Sequence, residues 1–291
     1  MDVELFRPFN VIFSVLKRLG LWQNGRQNWV YLMFGSVFHF TFRELQLTGA
    51  LISLLSVKSF EEFADISVVI SIIFSGLIRS WNFLANVRKI EKSVENLKSL
   101  IVFSCDERSK NRESVKSQVK FAYKIFKFNW SLAILTASIA TLRTILSHQL
   151  PFKTYFPFDT EDSEIGFFCA VTIKTITFYS IGTIDVALSI LPIIFISFAV
   201  GLMNELSDRL SLICETSKYA AGTTSSKTTS DDVGDDEELK KCIKIHVKII
   251  KFTQEIHKNF SRVIFVQGFA SSVILCTIAS FLSTVTSTKN K

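Results

Sequence analysis

The stretch KCIKIHVKIIKFTQEIHKNFSRVIFVQGFASSVILC, residues 241–276, keeps one helical period throughout but changes chemistry halfway. Ile245, Ile249, Phe252, Ile256 and Phe260 recur at spacings of three and four, which places them on one face of a helix. Lys240, Lys244, Lys248 and Lys251 fall off that face. Beyond Phe260 the charge nearly disappears, and the apolar run 260–286 exceeds the roughly 20 residues needed to cross a bilayer. A helix that is basic and amphipathic first, then uniformly apolar, is one that leaves water for lipid. His246 and His257 lie eleven residues apart on this helix, about 16 Å along its axis, too far to share a metal. They read as packing or hydrogen-bonding residues.

The same pattern recurs along the chain. Its 291 residues include 28 Phe, and the mean hydropathy is +0.33. A water-soluble fold of this size has no room to hide that much apolar surface. Apolar blocks of spanning length occur at 30–57, 66–87, 126–146, 170–203 and 260–286. The fold class expected is all-α, a polytopic membrane helical bundle.

Basic residues decide the orientation. Lys plus Arg number four in 1–29, ten in 88–125 and nine in 204–259, but one each in 58–65 and 147–169. Five crossings put every basic segment on one side, which the positive-inside rule makes the cytoplasm. The first block is set apart by three titratable side chains, His39, Arg43 and Glu44. Without it the most basic connection would face outward, so it is expected to cross. The N-terminus is then cytoplasmic, which argues against a G-protein-coupled receptor. The net charge of +7 is partitioned about apolar blocks rather than laid in one stripe, so nucleic acid is not expected as a partner.

Four parts follow. Residues 1–29 form a cytoplasmic segment whose Phe9, Ile12, Leu16 and Leu19 mark a surface helix. Residues 30–203 hold four spans, with helical extensions into the cytoplasm marked by Val87, Ile90, Val94, Leu97 and Ile101, and by Val115, Val119, Ala122 and Phe126. Residues 204–238, rich in Ser, Thr, Gly and Asp, read as a flexible loop. Residues 239–291 are the helix described first. Pro192 is expected to kink the fourth span.

No nucleophile elbow, phosphate-binding glycine loop or HExxH motif is present, and the five cysteines have neither CxxC nor zinc spacing. No enzyme activity, cofactor or metal is expected. Charges inside the spans are the unusual feature, because they are costly there. Arg79 lies where a long side chain can snorkel to headgroups. Asp185 is expected to pair with Arg143, or else to meet water or backbone groups.

Four stretches resemble the insect odorant receptors, a family of seven-span, ligand-gated cation channels. They are FRPFNVIFSVLKRLGLW at 6–22, LPFKTYFPFD at 150–159, CIKIHVKIIKFTQEIHKNFS at 242–261 and FVQGFASSVILC at 265–276. The resemblance covers the family's first five spans, and implies that the pore-lining last span lies outside these 291 residues and that this chain does not conduct alone. It implies a small volatile apolar ligand, a common co-receptor subunit, a tetrameric assembly and a plasma-membrane location. By position, it suggests Ile70, Ile73, Phe74, Ile139, Arg143, Phe178 and Gly182 as the ligand-binding residues. For each of them, a helix–helix or lipid contact is the competing reading. A gustatory-type receptor and a truncated, modulating subunit remain open as alternatives.

Overall fold

Hydrophobic periods of 3.6 residues with few breakers predict long helices, and long helices are found. A computed structural model describes residues 5–22, 29–104, 112–150, 155–160, 163–222 and 231–289. Every regular element among them is helical: α1 (Arg7–Arg18), α2 (Trp29–His39), a π turn (Phe40–Glu44), α3 (Leu45–Leu54), α4 (Phe60–Ser104), α5 (Arg112–Ser147), α6 (Glu164–Gly222) and α7 (Asp231–Lys289). Among the described residues, four helices are long and apolar enough to cross a membrane, α4 through α7. The first apolar block forms three consecutive helical pieces of 11, 5 and 10 residues.

The helices enter the 204–238 segment further than its composition suggests. α6 continues to Gly222 and α7 starts at Asp231, since adding a residue to an existing helix is far cheaper than nucleating one. Residues 223–230 lie outside the described residues. Pro192 stands inside α6, which continues on both sides of it.

The chain divides into two compact units. One comprises Met1–Pro8, Asn86–Ile125 and Ile190–Phe260. Its core is built from the stripes read in the sequence: Ile90, Val94, Leu97 and Ile101 of α4, Val115, Val119 and Ala122 of α5, and Ile245, Ile249, Phe252, Ile256 and Phe260 of α7 are all buried. Phe195 of α6 packs its ring 6.1 Å from Phe252 and 5.9 Å from Phe260, and Phe6 stacks on Phe198 at 5.6 Å. Each such side chain contributes about 1.5–3 kcal/mol on burial. Asn96 donates to Glu255 at 3.1 Å and Asn259 to Ser93 at 3.4 Å, so α4 and α7 run antiparallel here. Gly201 allows α6 to lie directly on α5: a Cβ there would sit 2.8 Å from the Val115 Cα. His246 and His257 are both exposed.

The other unit comprises Phe9–Ala85, Phe126–Ser189 and Ser261–Lys291. α1 buries Phe9, Ile12 and Leu16, as its spacing predicts. It ends in a Schellman arrangement: the Gly20 N–H donates to the Lys17 carbonyl and the Leu21 N–H to the Leu16 carbonyl. Gly20 takes a φ of +78°, a conformation that penalises any Cβ. Leu21 and Leu16 supply the apolar contact that accompanies the motif, both buried. The Tyr31 hydroxyl of α2 meets the Lys17 carbonyl at 2.6 Å and the Trp22 carbonyl at 2.7 Å, and Trp22 stacks on Phe13 at 4.1 Å. Gly-Leu-Trp therefore closes α1 and ties it to α2.

The spanning parts of α5 and α7 leave their apolar side chains largely bare. Ile139 is 59 % exposed, Leu146 75 %, Phe265 75 % and Phe269 66 %. Such surfaces suit lipid or partner helices rather than water.

Candidate functional site

Two polar features are buried among the spanning helices. The first begins at the π turn. Its extra residue is marked by the Leu45 N–H bonding back to the Phe40 carbonyl, five residues away. Such bulges re-aim side chains and recur at functional sites. Here the turn carries Arg43 inward, with none of its surface exposed.

Arg43 Nη1 donates to Ser80 Oγ at 2.6 Å, and Ser80 passes the interaction on to the Gly76 carbonyl at 2.9 Å. One turn along α4, Arg79 donates from Nη1 to Ser189 Oγ at 2.8 Å and from Nε to the Ser75 carbonyl at 3.3 Å. Its Nη2 forms an ion pair with Asp185 Oδ2 at 3.0 Å. Gly76 is the hinge of this packing. A Cβ there would lie 2.5 Å from Arg43 Nη2 and 2.8 Å from Asp185 Oδ1, so both groups converge on the space that glycine leaves. Arg43 Nε and Nη2 and Asp185 Oδ1 meet no hydrogen-bond partner. Two guanidiniums and one carboxylate thus meet at Gly76, where Arg79 holds the ion pair, in surroundings where each unpaired polar group costs several kcal/mol.

The expected Asp185–Arg143 pair gives way to Asp185–Arg79. The register of α5 against α6 supplies the reason. Trp130 donates to Thr183 at 3.4 Å, Ser138 bonds Tyr179 at 2.6 Å, and Thr141 bonds Thr175 at 3.3 Å. The two helices run antiparallel, and Arg143 falls about three turns from Asp185, roughly 18 Å at 1.5 Å per residue. Arg143 is exposed. Arg79 is 7 % exposed and held by this network, so it does not snorkel.

The α5–α6 hydroxyl ladder is the second feature. It runs beside Phe178 and Gly182, both half-buried. At Gly182 a Cβ would touch the Ala133 Cβ at 3.5 Å, so α5 passes close by. On α4, Ile73 is 4 % exposed and Ile70 half-buried, while Phe74 turns outward at 55 %. Ile139 and Arg143 also face out. The ligand residues suggested by position therefore divide between inner and outer faces. None of them lines either of the two cavities described in this unit, both of which border α2.

Gly76, Ser80 and Ser189 escaped the sequence reading, although a signal exists. Gly76, Arg79 and Ser80 are spaced i, i+3, i+4 on α4, and Asp185 and Ser189 are spaced i, i+4 on α6. A polar stripe of helical period inside an apolar span marks an inward face.

Comparison with known proteins now has a geometry to meet. The model of the 7tm Odorant receptor family matches residues 59–291. The fold is similar to the insect olfactory receptor OR5 from Machilis hrabei in complex with eugenol, with a TM-score of 0.71 and 18 % identity, over 96 % of this chain and 72 % of that one. A second structure of the same receptor aligns with a TM-score of 0.68 and 16 % identity, over 94 % of this chain and 70 % of that one. No curated protein matches.

Proposed function

Because this chain belongs to the 7tm odorant receptor family, a family of receptors and not enzymes, we propose that it is the odorant-sensing subunit of a ligand-gated cation channel, assembled with a common co-receptor subunit in the plasma membrane. It is a multi-pass membrane protein, with four helices of spanning length and composition among the described residues. In our reading α2, the π turn and α3 make a further crossing, and the N-terminus is cytoplasmic. The placement of basic residues supports this orientation.

The observation that carries the proposal is the family match together with the receptor fold over nearly the whole chain. The structure it resembles holds eugenol, a small odorant. We place the ligand beside the α5–α6 ladder, against Ile70, Ile73 and Phe74 of α4, Ile139 and Arg143 of α5, and Phe178 and Gly182 of α6. Apolar walls supply most of the affinity for a volatile compound, and the Ser138–Tyr179 and Thr141–Thr175 hydroxyl pairs offer a few orienting bonds. A ligand that binds the open form more tightly shifts the population toward it.

The test is to express the chain with a co-receptor subunit in cells and record cation current against a broad odorant panel. At least one volatile should evoke current, and Gly182→Trp should abolish the response at unchanged surface expression. Silence to the whole panel, with both subunits at the surface, would refute the proposal.

A further inference from the structure

α5 carries a face of one charge sign just before its apolar block begins at Phe126. Val115, Val119 and Ala122 turn into the core of their unit and are all buried. Lys116, Lys120 and Lys124 point away from that core at i, i+4 and i+8, and all three are exposed. Phe121 stands between the last two, 61 % exposed. None of the three ammoniums makes a hydrogen bond, an ion pair or a ring contact.

Like charges four residues apart repel along a helix, and no Asp or Glu occurs from residue 114 to residue 158 to offset these. Other basic stretches of the same unit are interrupted by acid: Glu91 and Glu95 stand among the basic residues of α4, and Glu255 lies between Lys251 and Lys258 of α7. The uncompensated charge on α5 therefore calls for an anion from outside the chain.

We infer that this face of α5 binds an anionic phospholipid of the adjoining leaflet, with the headgroup at Lys124 and Lys120 and Phe121 seated beside it. The inference takes from the proposed function only that the apolar block 126–146 crosses the bilayer, and it is independent of odorant sensing. Helical rise sets the depth of each residue. Measured along the axis from Phe126, Lys124 lies about 3 Å out, Phe121 about 8 Å, Lys120 about 9 Å and Lys116 about 15 Å. The headgroup zone is about 5–8 Å deep on each side of the hydrocarbon. Lys124 and Phe121 thus fall within it, and Lys120 reaches it by its flexible stem. An exposed aromatic ring at this depth suits the boundary between headgroup and acyl chain. Lys116 stands well above the zone, where salt screens most of its attraction.

This order of depth gives the test its signature. The full chain, reconstituted in nanodiscs of phosphatidylcholine with a minority of phosphatidylserine, is released and examined by native mass spectrometry for the lipids that stay bound. The parent should retain phosphatidylserine over phosphatidylcholine by about tenfold, relative to their supply. Lys124→Gln should lower that preference about fivefold and Lys120→Gln about twofold, while Lys116→Gln leaves it unchanged. Lys124→Arg should keep it. Lys244→Gln removes an exposed lysine of α7 that lies sixteen residues before Phe260, and should have no effect; it separates a local site from net charge. All five are exposed positions, and folding is checked by the monodisperse peak. Equal retention of the two lipids by the parent overturns the inference and leaves the face to an acidic protein. A loss from Lys116→Gln or Lys244→Gln as large as that from Lys124→Gln overturns it too, because the attraction is then diffuse. So does displacement of phosphatidylserine by inorganic phosphate at equal concentration, which would make this a site for a free anion.

Discussion

Replacing Asp185 with Asn removes the carboxylate that Arg79 pairs with, 3.0 Å away. The side chains are 8 % and 16 % exposed, so water cannot take its place readily. At an effective dielectric constant near 20, two unit charges at that distance attract by about 5.5 kcal/mol, most of which offsets their desolvation. Removing one partner leaves a buried cation uncompensated and typically costs about 3–5 kcal/mol. For a chain of this size that corresponds to a fall in melting temperature on the order of 10 °C. Thermal unfolding in detergent, read by the surviving monodisperse peak in size-exclusion chromatography, measures it. Arg79→Gln should be similarly harmful. The double variant should lose much less than the sum of the two, because neither charge is then stranded. Arg143→Gln should add to Asp185→Asn without coupling. An Asp185→Asn protein that melts within about 1 °C of the parent would refute the reasoning, and so would coupling of Asp185 to Arg143 as strong as its coupling to Arg79.

Further expectations follow from the same geometry. Gly76→Ala puts a methyl within 3 Å of both Arg43 and Asp185, and should destabilise by about 1–3 kcal/mol. Gly268→Ala meets nothing within 4 Å, and should stabilise α7 by up to about 1 kcal/mol through helix propensity; comparing the two melting curves checks both. Phe252→Ala removes a ring buried against Phe195 and should cost about 3–5 kcal/mol, whereas the exposed Lys251→Ala should stay within about 0.5 kcal/mol of the parent. Gly20→Ala forces a Cβ onto a residue with φ of +78° and against the Gly35 backbone, so protease sensitivity between α1 and α2 should rise.

Side-chain periodicity made much of the fold legible. The stripe from Ile245 to Phe260 is buried as its spacing demands, and so are Phe9, Ile12 and Leu16 of α1, Ile90 to Ile101 of α4 and Val115 to Phe126 of α5, while Leu19 and Val87 at the stripe ends are half-buried. These faces are set by local geometry and by the aversion of apolar groups to water, both of which are written in a short window of sequence. The partner of Asp185 was not legible in the same way. It depends on the register between α5 and α6 and on the approach of the π turn to α4, which Gly76 permits. These are long-range facts with no local period. Composition also misled at 204–222, where Ser, Thr and Gly suggested a loop and α6 simply continues. Gly20, by contrast, shows how a three-residue match to a family can carry a physical meaning: its positive φ closes α1.

Ligand binding to the purified, folded chain tests the central claim most directly. Titrating nanodisc-embedded protein with a panel of apolar volatiles should give saturable binding for at least one, and Gly182→Trp should abolish it in the fraction that remains folded and monodisperse. If a well-folded protein binds no volatile saturably, or if the ligand it does bind is indifferent to Gly182→Trp, then the odorant-sensing account of these helices is contradicted.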